Sequence, residues 1–207
     1  GVPRDRVHAI RRQSSNQKPP WDPFVVTSIA TINQRKNQLL LLKAVGELAG
    51  EYPSLHVQLV GPITDPVYGE QLRKFVNEHE LQSRVDFLGW QDDIRGILHG
   101  TNLLAVTSRV EGVPQAVLEA LHACVPVLAT SVGGIPEVIQ DRCTGVLVPR
   151  DDLSAFTKAL RWCLENQGRL AELAMEGQRL VDEIFEAGAW YRRYEKIFDD
   201  VLLGRCR

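Results

Sequence analysis

The chain has 207 residues, with 24 basic and 26 acidic side chains and a net charge of −2 at pH 7. That length supports one sizeable hydrophobic core and falls short of two, and the near-neutral balance removes any strong electrostatic case for nucleic acid or a membrane surface. Four cysteines without CxxC spacing and five histidines without metal-like pairing give no zinc or disulfide framework, so reduced thiols in a cytosolic domain are the default.

Residues 1–23 are polar and extended, with Ser14, Ser15, Asn16, Gln17, Lys18, Pro19 and Pro20 in sequence, and read as a linker arm whose Arg4, Arg6, Arg11 and Arg12 are solvated. The chain starts Gly1-Val2-Pro3 and its only methionine is Met175, so it is expected to be a processed or excised piece of a longer protein. It shows neither a signal-peptide pattern nor an apolar run of membrane length. From Phe24 onward, β-branched or apolar runs alternate with helical patterns, which predicts an α/β domain with a parallel sheet of about six strands.

The first strand covers residues 24–30. A helix over 37–49 follows, with Leu39, Leu42, Val45 and Leu48 at helical spacing and a stop at Gly50 and Pro53. A strand over 55–60 turns at Gly61-Pro62, and the next helix, over 69–80, buries Leu72, Phe75 and Val76. A strand over 84–88 ends at Gly89, with a short helix after Asp92-Asp93. The strand over 103–107 leads into a short apolar helix. The strand over 126–130 precedes Gly133-Gly134-Ile135-Pro136, which opens another short helix, and the strand over 146–148 closes the sheet. Helices over 153–165, 169–185 and 187–203 complete the chain. The last either docks on a neighbouring domain or packs on its own sheet.

Open parallel sheets hold ligands at the carboxyl ends of their strands, and three polar clusters fall there: residues 31–36, 111–119 and 131–137. Glu111 and Glu119 bracket a Gly112-Val113-Pro114 turn. Pro114 suits the first helical position, where its missing N–H costs nothing. The amides of Val113, Gln115 and Ala116 then point out of a helix N-terminus, a seat for an anion or a sugar hydroxyl. Carboxylates suit vicinal hydroxyls, and one near an anomeric carbon stabilises positive charge developing there. In the first cluster, Lys36 can reach a phosphate and Arg35 can add bidentate contacts.

Each cluster has a plainer alternative. Glu111 as a surface loop residue, Glu119 as a partly exposed helix residue, and Lys36 and Arg35 as solvated cations all fit the spacing. Gly133-Gly134 serves equally as a phosphate nest or as a tight turn. His79, His99 and His122 read as surface or half-buried helix residues, Cys124 as an inert core thiol, and Trp162 and Trp190 as helix-packing residues. Paired carboxylates also occur in glycosidases, but such an enzyme holds no phosphate, which the basic loop and the helix amides suit.

The run Glu111-Gly112-Val113-Pro114-Gln115-Ala116-Val117-Leu118-Glu119-Ala120 resembles the glutamate, seven residues, glutamate motif of retaining GT-B glycosyltransferases of the group 1 type (family four). The likeness extends through Pro126-Val127-Leu128-Ala129-Thr130, Gly133-Gly134-Ile135-Pro136-Glu137 and Gly145-Val146-Leu147-Val148-Pro149. Arg84-Val85-Asp86-Phe87-Leu88-Gly89 resembles the family's base loop, and Leu59-Val60-Gly61-Pro62 its second strand end.

The resemblance implies a single Rossmann-like, three-layer domain over 24–207 with a helical C-terminal extension, the C-terminal half of a GT-B fold. An absent N-terminal domain would supply the acceptor site and a histidine-type catalytic contact. The implied activity is transfer of a hexose from a nucleoside-diphosphate sugar to an acceptor hydroxyl with retention. Glu111 would hold the donor sugar, with the amides of Gly112, Val113, Gln115 and Ala116 supporting sugar and phosphate. Lys36 and Arg35 would meet the diphosphate, Glu119 the ribose hydroxyls, and Phe87 and Leu88 the base. No cofactor or metal is implied, and the fragment alone is expected to transfer little. Partners would be the nucleotide sugar, the chain's own N-terminal domain and a sugar, polysaccharide or lipid-linked acceptor, with no nucleic acid. The expected location is cytoplasmic, or peripheral to the inner membrane face for the full-length protein. Two departures, Thr31 in place of a frequent arginine and Cys124 in place of a usual glycine, support the alternative of a non-catalytic nucleotide-binding or regulatory module.

Overall fold

The computed structural model describes residues 21–185. Six strands, β1 (Phe24–Ile29), β2 (Leu55–Val60), β3 (Val85–Gly89), β4 (Leu103–Val106), β5 (Val127–Thr130) and β6 (Val146–Val148), form one parallel sheet in the order β3-β2-β1-β4-β5-β6. Seven helices accompany them: α1 (Gln38–Leu48), α2 (Pro66–Glu78), α3 (Ile94–His99), α4 (Gln115–His122), α5 (Ile135–Val138), α6 (Leu153–Glu165) and α7 (Gln167–Phe185). This is the three-layer α/β, Rossmann-like architecture expected, and each strand bound lies within a residue of its expected place. Of the arm expected over 1–23, residues 1–20 lie outside the described residues, as do the helix over 187–203, Trp190 and Cys206, while Trp21 packs against the core and its amide donates to Gln167 Oε1 at 2.5 Å.

Successive strand residues point to opposite faces, and here both faces are buried. Leu103 and Ala105 of β4 enter one core, with Leu41 and Val45 of α1, Leu72 of α2 and Phe156 and Leu160 of α6. Leu104 enters the other, with Val117 and Leu121 of α4, Ile135 and Val138 of α5 and Val181 of α7. Burial on two sides explains why β4 and β5 read as unbroken apolar runs without alternation. Among the described residues, no helix is long and apolar enough to cross a membrane.

Three local expectations change. The helix expected from Gly69 starts at Pro66, because the Asp65 side chain accepts from the Tyr68 amide at 3.0 Å and Pro66 takes a first-turn position. Pro114 stands one residue before α4, not inside it. Its extended backbone (ψ 130°) offers its carbonyl to the amides of Val117 and Leu118. His122, expected at the surface or half-buried, is 4% exposed, because α7 brings Asp182 within 3.2 Å of its Nδ1. His79 and His99 are exposed as expected.

Helix α4 ends in a left-handed residue, Cys124, at φ 55°. The Cys124 amide bonds to the Leu121 carbonyl at 3.0 Å and that of Val125 to the Ala120 carbonyl at 2.8 Å, closing the helix as glycine usually does. A side chain in that conformation costs about 1 kcal/mol or more. Cys124→Gly is therefore expected to stabilise the domain by about 0.5–1 kcal/mol, read as a raised midpoint in urea at unchanged slope. Burial pushes the Cys124 thiol upward and the Cys163 thiol up to about 12, so both stay protonated and inert at neutral pH.

Candidate functional site

The strand order reverses at β1, whose neighbours are β2 on one side and β4 on the other. The carboxyl ends of these strands open a crevice at that switch point. A cleft of about 410 Å³ sits there, lined by Ile29 at the end of β1, Ala30 and Thr31 after it, Gly61 and Pro62 after β2, Trp90, Gln91 and Asp92 after β3, and Gln115, Ala116 and Glu119 of α4. That volume suits a small organic ligand. Gly61 permits the close approach of β2 to β1: at φ 136° its backbone would put a Cβ 2.1 Å from the Ala30 carbonyl oxygen.

Glu119 is 3% exposed and faces this cleft, which removes the reading of a partly solvated helix residue. Glu111 is not at the surface either. Its carboxylate pairs with the Lys36 ammonium, their side chains being only 10% and 15% exposed, and the Ser108 hydroxyl donates to the same Oε1 at 2.6 Å. Lys36 and Glu111 do not line the cleft. They form an adjoining polar centre, and the Gly112-Val113-Pro114 turn leads from Glu111 to the start of α4. Among the described residues the amides of Gly112, Val113, Gln115 and Ala116 have no protein acceptor, as the first amides of a helix lack intrahelical partners.

The loop carrying Lys36 is internally braced. Asn33 accepts from the Lys36 amide at 3.2 Å and donates to the hydroxyls of Thr31 and Thr64 at 3.0 and 3.1 Å. The Thr107 hydroxyl donates to the Lys36 carbonyl at 2.8 Å, joining this loop to the end of β4. Arg35 is exposed, and its carbonyl accepts from the Arg109 amide at 2.8 Å. Phe87 lies half-buried against the core with the Arg73 guanidinium 4.5 Å over its ring, and the Leu88 carbonyl accepts from the Gln91 side chain at 2.8 Å. The cleft wall on that side is Trp90, Gln91 and Asp92, just beyond the two residues expected at the base.

Gly133 and Gly134 have a structural task at this centre. A Cβ on Gly133, at φ 55°, would fall 1.8 Å from the Glu111 carbonyl oxygen, and the Gly134 amide donates to the Gly112 carbonyl at 3.0 Å. The β5–α5 loop thus packs directly on the backbone of the glutamate turn. Sequence reasoning missed Thr107, Ser108 and Thr130. Thr130 donates to the Ser108 carbonyl at 2.6 Å and Ser108 in turn holds Glu111. Their signal was a polar residue closing an otherwise apolar strand.

The six-stranded parallel sheet with helices on both faces is that of the Rossmann-like C-terminal half of a GT-B fold. A sequence model of the family described as "Glycosyl transferases group 1" matches residues 10–179, and the chain belongs to that family. The chain is 32% identical over 129 residues to an N-acetyl-alpha-D-glucosaminyl L-malate synthase of Bacillus anthracis, which covers 62% of this chain and 34% of that protein. The crystal structure of Anabaena HepE in complex with UDP-glucose matches with a TM-score of 0.79 at 22% identity, over 96% of this chain and 54% of that one. The C-terminal domain of a group 1 family glycosyl transferase from Francisella tularensis matches with a TM-score of 0.74 at 21% identity, over 86% of this chain and 93% of that one. The chain spans less than half the length of the curated relatives it matches.

Proposed function

We propose that this chain is the donor-binding half of a retaining glycosyltransferase, which transfers a hexose from a nucleoside-diphosphate sugar to an acceptor hydroxyl. The observation that carries this reading is a switch-point cleft lined by Glu119 and the start of α4, with the shielded Lys36–Glu111 pair joined to it by the glutamate turn. A cation, amide donors and carboxylate acceptors on one rim match the three parts of an activated sugar: diphosphate, ribose and hexose.

The base lies at the end of β3, where Phe87 and Leu88 lead into Trp90 and Gln91. Glu119 takes the ribose hydroxyls inside the cleft. The diphosphate rests on the first amides of α4, with Lys36, aided by Arg35, neutralising charge as the bond to the anomeric carbon breaks. Glu111 holds the hexose and stabilises the positive charge that develops on the sugar. The acceptor, a sugar, polysaccharide or lipid-linked alcohol, is held by an N-terminal domain, so this half alone transfers little. The full enzyme works in the cytoplasm or at the inner membrane face.

Removing the cation at Lys36 eliminates charge-assisted bonds of about 1.5–3 kcal/mol each, so Lys36→Ala is expected to weaken nucleoside-diphosphate binding about 10- to 100-fold. Calorimetry with UDP, GDP and ADP and their hexose conjugates tests the whole reading. One diphosphate family is expected to bind, with the sugar adding affinity. Tight nucleotide binding indifferent to the sugar favours the non-catalytic module, and no binding by any of the six ligand types overturns both.

A further inference from the structure

Two residues on the rim hold left-handed backbones without being glycine, and their side chains meet. Asn37, just before α1, has φ 53°, and Asp151, between β6 and α6, has φ 57°. The Asn37 amide group donates to Asp151 Oδ1 at 3.1 Å, across 114 positions of sequence. Asn and Asp enter this region more readily than other residues with side chains, and here the bond between their side chains joins two loops distant in sequence.

The same Asp151 Oδ1 accepts from Arg109 Nε at 2.8 Å. Arg109 then reaches the other way: its Nη1 donates to the Gln34 carbonyl at 3.1 Å and its amide to the Arg35 carbonyl at 2.8 Å. Arg150 adds a bond of 3.4 Å to the Arg109 carbonyl and stands 3.6 Å from the other oxygen of Asp151. Three strand-end loops are thereby tied at one carboxylate. One carries Lys36, the next carries Glu111, and the third contributes Asp151 and does not touch the cleft.

We infer that Asp151 is a positioning residue, which acts through Asn37 and Arg109 to fix the Lys36 loop against the Glu111 loop and so sets their ion pair. The consequence for donor binding rests on the function proposed above; the positioning itself does not. Asp151 and Arg109 are each a little over two-fifths exposed, so their bond contributes little to global stability. Its effect is on geometry, because a misplaced cation at a phosphate site loses affinity without unfolding anything.

Glycine separates the two roles. Asp151→Gly deletes the carboxylate while relieving the left-handed backbone, so the thermal midpoint of the 207-residue chain is expected to hold or rise. The ammonium of Lys36, shielded in the wild type, is expected to acylate with acetic anhydride about 5-fold faster or more, the scale of one lost supporting contact. UDP, GDP or ADP, whichever the wild type binds, is expected to weaken by a similar factor. Asp151→Asn keeps an acceptor oxygen and is expected to restore shielding of Lys36.

Unchanged Lys36 acylation in Asp151→Gly overturns the inference, whatever happens to stability. Faster acylation that only tracks a lowered midpoint overturns it too, since that is a structural effect. If Lys36 is exposed at an intact midpoint while the wild type binds no nucleoside diphosphate, the positioning role stands and the donor reading falls. If the wild type binds nucleotide and acylation does not move, the positioning role falls and the nucleotide site stands.

Discussion

Replacing Glu111 by alanine in the full-length parent enzyme is expected to lower turnover about 100-fold or more, the scale of a lost transition-state contact. Two features make the effect large. The carboxylate is mostly shielded from water, so its field at a nearby sugar is weakly screened. It is also held in advance, by Ser108 at 2.6 Å and by Lys36, so little reorganisation is needed when charge develops. Glu111→Gln keeps the shape and removes the charge, and it is expected to lose most of the same factor. Steady-state kinetics with saturating donor measures both. Near-normal turnover in either variant removes Glu111 from the mechanism.

The second large effect is one of fold at the site. Gly133→Ala is expected to destabilise the domain by about 2–4 kcal/mol, from a left-handed backbone and an overpacked contact. The new Cβ would meet the Glu111 carbonyl oxygen at 1.8 Å, and backbone cannot swing aside as a side chain tip does. For a domain of this size that is a fall of about 5–15 °C in Tm, and the Glu111 loop moves in whatever fraction stays folded. Gly112→Ala is the control. A Cβ there has nothing within 4 Å, so its Tm is expected to stay near the wild-type value. Equal Tm values for the two variants would show that the glycine turn tolerates what the geometry forbids.

The positions and type of the strands were legible because both faces of the sheet are buried, which writes runs such as Leu103-Leu104-Ala105-Val106 directly into the chain. The glutamate turn was legible because its residues are neighbours in sequence. The helix start at Pro66 was also written there, in Asp65-Pro66, but the apolar periodicity used to place the helix begins later. What stayed hidden depends on separation. Lys36 and Glu111 were expected on one rim, but their direct ion pair spans 75 positions, and the Asn37–Asp151 bond spans 114. His122 reads locally as a helix residue near the surface, and only α7, 60 positions on, covers it with Asp182. Arg35 and Arg109 are both exposed arginines on rim loops, and nothing local shows that Arg109 is the one whose side chain ties loops together.

The placement of the donor on this rim is tested most directly by the amide spectrum of the isotope-labelled 207-residue chain during titration with the nucleoside diphosphate that binds best. Shifts are expected to concentrate at Thr31, Lys36, Gly112, Val113, Gln115, Ala116, Glu119 and Gln91, with the amino ends of the strands unmoved. Saturable shifts that leave Glu119 and the first amides of α4 in place, and fall elsewhere on the domain, would contradict that placement.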